Sequence, residues 1–348
     1  MNQILLILLF SLAKFGLYNS TKKNLIIGAI KSYEWKAIKP FFVSLYYSNF
    51  RETDCVIFAL DISKKTLDKL QSIGVIVQNF PDKYRYMKIN NVRYKLYEEF
   101  LRDKLDKYNM VLHADIRDIF FQKDIFQLYE NKGKFIGLGL ESGTISEQRN
   151  ANWMKNQYGE KIFEELKNEK IICSGTIFGT AAEFYLLVKN IWEQILLKSP
   201  YDINIHDQTA TNYLIYHKKM FNDCLIFLDN YNGSIMTVGI DKNKNFSFDL
   251  DNNLLNFNST NKPAVIHQYD RIPKMVEIVN KKFGNQFEDN LNLTSRATIK
   301  KTKVDELLNK LSFDPKQFQI IFVLINFSLI LILILKISIK NYYLYKKN

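Results

Sequence analysis

Met110-Val111-Leu112-His113-Ala114-Asp115-Ile116-Arg117-Asp118 is the stretch on which the fold turns. A short apolar run closes on two carboxylates. Such a run predicts a buried strand, and the acids that follow it directly predict a loop at the strand's carboxyl end. On a strand, residues three apart would point to opposite faces. In a turn or helical loop they share one side, so Asp115 and Asp118 there can grip one hard divalent cation through oxygen ligands. The alternative reading is purely structural, with Asp115 capping a helix while Asp118 pairs with Arg117. His113 and Arg117 stand close enough to add a positive partner or a further ligand.

Upstream, Leu25-Ile26-Ile27-Gly28-Ala29-Ile30 and Val56-Ile57-Phe58-Ala59-Leu60 read as strands, and Val75-Ile76-Val77 as a third. Between them the spacing predicts helices: residues 38–50 with Pro40 in the first turn, where a missing N–H is harmless, and one capped near Ser63. Ile89, Val92, Leu96, Phe100 and Leu105 recur at three-to-four spacing, predicting a helix of about 18 residues. Downstream, Phe135-Ile136-Gly137-Leu138 and Thr176-Ile177-Phe178 read as strands, followed by a helix over 183–197. Near-continuous apolar strands alternating with helices predict an α/β fold, a mostly parallel sheet covered on both faces. In such sheets ligands bind beyond the carboxyl ends of the strands, at the topological switch point.

The chain has 348 residues and a formal charge of +12, with its lysines scattered. No Arg-rich arm, zinc finger or RNA-binding signature accompanies them, which argues against nucleic acid. Gly-x-Ser-x-Gly and His-Glu-x-x-His are absent, which removes the commonest hydrolase signatures. The three cysteines, Cys55, Cys173 and Cys224, are too few for a disulfide framework, though one bridge and a free thiol are compatible with the count. Cys55 and Cys173 sit in apolar runs and read as core.

Both ends are apolar. Residues 1–19 have the length of a signal peptide or signal-anchor. Residues 318–339 read as a transmembrane helix, preceded by a polar connector (295–317) and followed by a basic tail (340–348) that the positive-inside rule places in the cytoplasm. The body, residues 20–294, then faces the secretory lumen or the cell exterior. Acceptor sequences for N-glycosylation at Asn19, Asn232, Asn245, Asn258 and Asn292 agree with that placement.

Four blocks in order resemble the GT-A fold nucleotide-diphospho-sugar glycosyltransferases. Val111–Phe126, VLHADIRDIFFQKDIF, is similar to that family's Asp-x-Asp region, in the form D-x-R-D-x-x-F-Q. Ile172-Cys173-Ser174-Gly175-Thr176-Ile177-Phe178-Gly179 resembles its Asn-Ser-Gly strand, with Cys173 where Asn is common. Ile205-His206-Asp207-Gln208 resembles its Asp-Gln helix start, and Ala264–Arg271, AVIHQYDR, its late His motif. The resemblance covers roughly residues 24–284.

It implies an enzyme that moves a sugar from a nucleotide-diphosphate donor, UDP- or GDP-linked, to a glycan or glycoprotein, with Mn²⁺ or Mg²⁺ as cofactor; the apolar ends and the glycosylation sequences add a membrane anchor and place it in the secretory pathway. The metal ligands would be Asp115, Asp118 and His267; Asp118 departs from the usual Asp-x-Asp spacing. Taken alone, a histidine in an apolar strand such as His267 also reads as a structural hydrogen bonder. The resemblance further implies that Gly28, Ala29 and Ile30 cradle the nucleobase, that Arg93 contacts base or phosphate, and that Ser174-Gly175 approaches the donor sugar. Asp207 and Gln208 would bind hydroxyls, Asp207 with an acid/base or electrostatic role; as bare sequence, Asp207 equally reads as a helix N-cap. Glu141 and Trp153 would line an acceptor pocket, although Trp153 also reads as core. The rival to the enzyme is a catalytically silent glycan- or nucleotide-sugar-binding protein on the same scaffold.

Overall fold

The computed structural model describes residues 22–198 and 205–284. The expected segments 1–19, 295–317, 318–339 and 340–348 lie outside the described residues, as do Asn19 and Asn292. Among the described residues no helix is long and apolar enough to cross a membrane.

The fold is mixed α/β, with a mostly parallel central sheet flanked by helices. In chain order the strands are β1 (Lys23–Lys31), β2 (Thr53–Leu60), β3 (Ile76–Asn79), β4 (Tyr108–Ala114), β5 (Ile119–Phe121), β6 (Ile136–Thr144), β7 (Lys170–Thr180), β8 (Leu225–Leu228), β9 (Ile235–Thr237) and β10 (Val265–His267). The helices are α1 (Trp35–Tyr47), α2 (Lys64–Ser72), α3 (Ile89–Leu101), α4 (Gln148–Tyr158), α5 (Glu160–Leu166), α6 (Ala181–Lys198), α7 (Asp207–Asn212) and α8 (Pro273–Val279). Seven strands form one sheet in the order β3-β2-β1-β4-β7-β6-β8, and β5-β10-β9 form a second.

The alternating side chains of each strand feed two cores, one on each face. Leu25, Ile27 and Val111 pack with Tyr94 and Tyr97 of α3 and Phe184 of α6. Ile26, Ile57 and Leu112 pack with Phe41 and Phe42 of α1 and with the small sheet. Burial on both faces is what makes these strands read as unbroken apolar runs. β1 pairs in parallel with β2 on one side and with β4 on the other, so the chain reverses direction across the sheet between β1 and β4. The carboxyl ends of these two strands define the crevice where the acidic loop lies.

The mostly parallel sheet is as expected; β7 is the exception, running antiparallel to both neighbours, β4 and β6. The short α4–α5 excursion returns the chain beside β6, and the double burial of β7 leaves no sequence mark of its direction. Two helix boundaries are corrected. α1 begins at Trp35, not residue 38, because the Trp35 amide is anchored on Thr66 Oγ1 at 3.0 Å; Pro40 therefore lies inside the helix. α3 stops at Leu101, shorter than its periodicity suggested, as turns closed by Lys104 and Lys107 lead into β4. The Ser63 cap is as expected, its side chain accepting from the Thr66 amide. All three cysteines are free thiols, with Cys55 and Cys173 buried.

Candidate metal centre and nucleotide cavity

Asp115 leaves β4 at its carboxyl end, and its amide donates to the Gly175 carbonyl at 2.9 Å. The antiparallel course of β7 brings Ser174-Gly175 there, since Thr176 pairs with Ala114 and the preceding residues extend past the end of β4. After a single turn the chain forms β5, whose Ile119 pairs with His267 on β10. The Gln268 amide closes this end of the ladder by donating to the Asp118 carbonyl at 2.8 Å. His267 is thereby set beside Asp118, 149 residues away in sequence (267 − 118).

The ligand atoms of Asp115, Asp118 and His267 lie within 4.8 Å of one another. His267 is 1% exposed, and its Nε2 lies 3.6 Å from Asp115 Oδ2 and 3.6 Å from Asp118 Oδ1. That nitrogen has no hydrogen-bond partner although it is fully buried. A buried, unpaired nitrogen facing two carboxylates is costly unless something joins them. Cis ligands at about 2.1 Å from a divalent cation stand about 3 Å apart, so small side-chain shifts would close the three around one ion. Gly175 completes the cradle: a Cβ there would lie 2.6 Å from Asp115 Oδ2 and 2.7 Å from His267 Nε2. The residues present fit a divalent cation.

The electrostatics agree. Burial opposes charge on His267, but Cys173, Asp118 and Asp115 outweigh it and hold its pKa well above that of an ordinary imidazole. For Asp115, burial pushes the pKa up, and the Arg93 guanidinium with His267 more than reverses this, so the carboxyl stays ionised. His113 differs. Burial and Arg93 drive its pKa down to about 3, so it is neutral and cannot be the positive partner that its position suggested. Its Nδ1 lies 3.2 Å from the Tyr97 hydroxyl.

Arg93, on α3 and 5% exposed, ties the site together. It donates to Asp115, to Asp207 Oδ2 at 2.6 Å and to the Ser174 carbonyl at 3.1 Å. Tyr94, unremarked in the sequence, donates to the same Asp207 oxygen at 3.1 Å. Asp207 is the first residue of α7 and His206 is its N-cap, so the capping reading of Asp207 is replaced by a buried ion pair. Gln208 accepts from the Ser174 amide at 3.4 Å and donates to Glu141 at 3.3 Å and to Asn150 at 3.0 Å. Burial pushes the Glu141 carboxyl up, against the opposing charge of His267.

Beside the acidic loop opens a cavity of about 230 Å³, lined by Ala29, Lys31, Tyr33, Ile89, Asn90, Arg93, Asp115, Ile116, Arg117, Asp118 and Arg271. Four cations face two carboxylates there, a wall suited to phosphate oxygens. Arg117 is braced by Asp270 at 2.8 Å and stands 3.9 Å from Asp118. Lys31, Tyr33 and Asn90 were not singled out from the sequence, and Arg271 only as the last residue of the AVIHQYDR block; Lys31 and Tyr33 lie at or just past the end of β1, and Asn90 in the first turn of α3.

Of the residues expected to hold the nucleobase, Ala29 lines this cavity. The Ile30 side chain is fully buried in the core, and a Cβ on Gly28 would meet the Ile116 side chain. Ser174, Asp207 and Gln208 lie behind the cavity wall and do not line it. Trp153 stacks on His206 with centroids 4.0 Å apart, so one of its faces is already occupied.

No protein-family model and no curated protein matches the chain. Among solved structures it is similar to the galactosyltransferase LgtC in complex with donor and acceptor sugar analogues, with a TM-score of 0.48 and 13% identity over 76% of this chain and 98% of that one. It is likewise similar to an active-site glutamine-to-glutamate mutant of LgtC, with a TM-score of 0.49 and the same identity and coverage.

Proposed function

We propose that the chain is a metal-dependent, nucleotide-sugar glycosyltransferase of the GT-A type, with residues 20–294 as its catalytic domain. The observation that carries this reading is the convergence of Asp115, Asp118 and His267 around the void that Gly175 leaves, beside a cationic cavity at the sheet's switch point. Asp115, Asp118 and His267 would hold Mn²⁺ or Mg²⁺, both of which accept carboxylate oxygen. When bound, such a cation offsets the charge that develops on a departing nucleoside diphosphate. Lys31, Arg117 and Arg271 bind the phosphates, and Ala29 with Tyr33 borders the nucleoside.

Arg93 lines the cavity and acts chiefly through Asp115, since three of its N–H groups are directed to Asp115, Asp207 and the Ser174 carbonyl. It keeps Asp115 ionised and fixes its carboxylate for metal binding. Asp207 holds Arg93 in that pose. Gln208, Glu141 and Asn150 form a polar group on the adjoining flank, suited to sugar hydroxyls.

The placement proposed is lumenal, behind a membrane anchor at 318–339 and a basic cytoplasmic tail, with a glycan or glycoprotein as acceptor. Asn245 and Asn258 are both exposed, which supports a lumenal body open to glycosylation. The test is equilibrium binding of UDP and GDP with and without chelator. Binding that requires Mn²⁺ or Mg²⁺ supports the enzyme; no binding, or binding indifferent to chelator, removes it.

A further inference from the structure

The three-stranded sheet has two chemically distinct ends. At one end, β5 and β10 present Asp118 and His267. Because the strands are antiparallel, both continue to the same opposite end, where Gln122 donates through its amide to the Ala264 carbonyl at 2.8 Å. Lys123 follows Asp118 by five residues and Lys262 precedes His267 by five. An extended chain of that length spans up to about 16 Å, so this end is remote from the metal centre.

A second cavity of about 440 Å³ opens there, and its walls include Lys123, Lys132 and Lys262 with Asn232, Asn256 and Tyr129. None of the three lysines forms an ion pair with a described carboxylate. Lys123 and Lys262 are half-buried, and burial together with the charge of Lys262 holds the Lys123 pKa below its ordinary value. Asp249 and Lys282 lie near Lys262, Asp251 near Lys282, and Asp229 accepts from the Asn232 amide at 2.9 Å, so four lysines stand against three carboxylates. Lys123 and Lys262 repel each other with no directly paired carboxylate, which a bound anion would relieve.

A second observation concerns Asn256, which is 1% exposed. Its amide nitrogen donates to the Asn230 carbonyl at 3.3 Å and the Gly233 carbonyl at 3.2 Å, while its Oδ1 has no partner. An orphaned acceptor calls for a donor such as a hydroxyl, which a fully ionised oxyanion such as sulfate does not supply. The cavity is also larger than one oxyanion needs. Lysines asking for negative charge and an amide oxygen asking for a hydroxyl describe a single kind of ligand.

We propose that this cavity binds an anionic sugar, a polyhydroxylated ring carrying a phosphate, sulfate or carboxylate, with the charge held by Lys123 and Lys262 and a ring hydroxyl directed to Asn256. The site requires no metal and does not depend on the chemistry assigned to Asp115.

The experiment is isothermal titration of the full chain, Asn232 unmodified, in the presence of EDTA, with glucose 6-phosphate, glucuronate, glucose and inorganic sulfate as probes. One or both anionic sugars are expected to bind, glucose is not, and sulfate binds at least about tenfold more weakly, the loss of one good hydrogen-bonded contact. Lys123→Gln and Lys262→Gln should each weaken the anionic sugar by about tenfold, and the affinity should fall with added salt. Asn256→Leu should erase the preference over sulfate; should it unfold the chain, the two lysine variants decide alone. Three results overturn the proposal: neither anionic sugar binds, sulfate binds as tightly as the better of them, or the affinity is unchanged in Lys123→Gln and Lys262→Gln.

Discussion

A β-carbon on Gly175 would stand 2.7 Å from Nε2 of His267, nearer than side-chain packing permits. The glycine is thus part of the metal centre by what it lacks. Gly175→Ala should fill the space between His267 and Asp115 and abolish Mn²⁺ binding. Because the intrusion is into a polar void, the fold should survive with a loss of about 1–3 kcal/mol. Calorimetric Mn²⁺ titration alongside a urea melt reads both effects; wild-type Mn²⁺ affinity in the variant would contradict the geometry.

Arg93 neutralises Asp115 and Asp207 together from a buried position. Arg93→Met should leave the Asp207 carboxylate buried without its cation and cost about 3–5 kcal/mol, the usual penalty for breaking one side of a buried pair. The unfolding midpoint in urea should fall accordingly. Asp207→Asn in the same background should recover part of the loss, since it removes the stranded charge; an unchanged midpoint in Arg93→Met would show the pair to be incidental.

His267 holds a proton in the metal-free protein, because its pKa is raised by Cys173, Asp118 and Asp115 despite burial. Metal must displace that proton. Below the raised pKa, apparent Mn²⁺ affinity should therefore climb with pH by about tenfold per unit for a one-proton exchange. Calorimetry in two buffers of different ionisation enthalpy should find about one proton released per Mn²⁺. A pH-independent affinity would mean that His267 is neutral or does not ligate.

Gly28 sits beneath Ile116 in the acidic loop, and a Cβ there would come within 2.8 Å of Ile116 Cγ1 and 3.2 Å of the Ala114 carbonyl. Gly28→Ala should therefore displace the loop and weaken Mn²⁺. Ile116→Ala added to it should restore binding, a coupling that neither change alone explains. Purely additive effects of the two substitutions would separate Gly28 from the loop.

The central strands were legible because double burial writes β1, β2 and β4 as apolar runs, and the carboxylates after β4 marked the crevice. The direction of β7 was not, since a strand buried on both faces carries no sign of its polarity. His267 reached the site only through pairing of two three-residue strands far apart in sequence, a long-range contact that local pattern cannot encode. Resemblance to a family pointed to it, and the β5–β10 register supplied the physical reason. Asp207 misled in part: an acid at a helix start reads as a cap, and only Arg93 and Tyr94 show what it binds. The neutrality of His113 was equally invisible, being a product of burial.

Asp115 is the residue on which the metal centre and the proposed activity both depend. Hydrolysis of a panel of UDP- and GDP-sugars by the full chain should be detectable with Mn²⁺, abolished by EDTA and reduced by at least about 100-fold in Asp115→Ala, as expected when a group orienting transition-state charge is removed. Hydrolysis that persists unchanged in Asp115→Ala would contradict the metal centre and the function built on it.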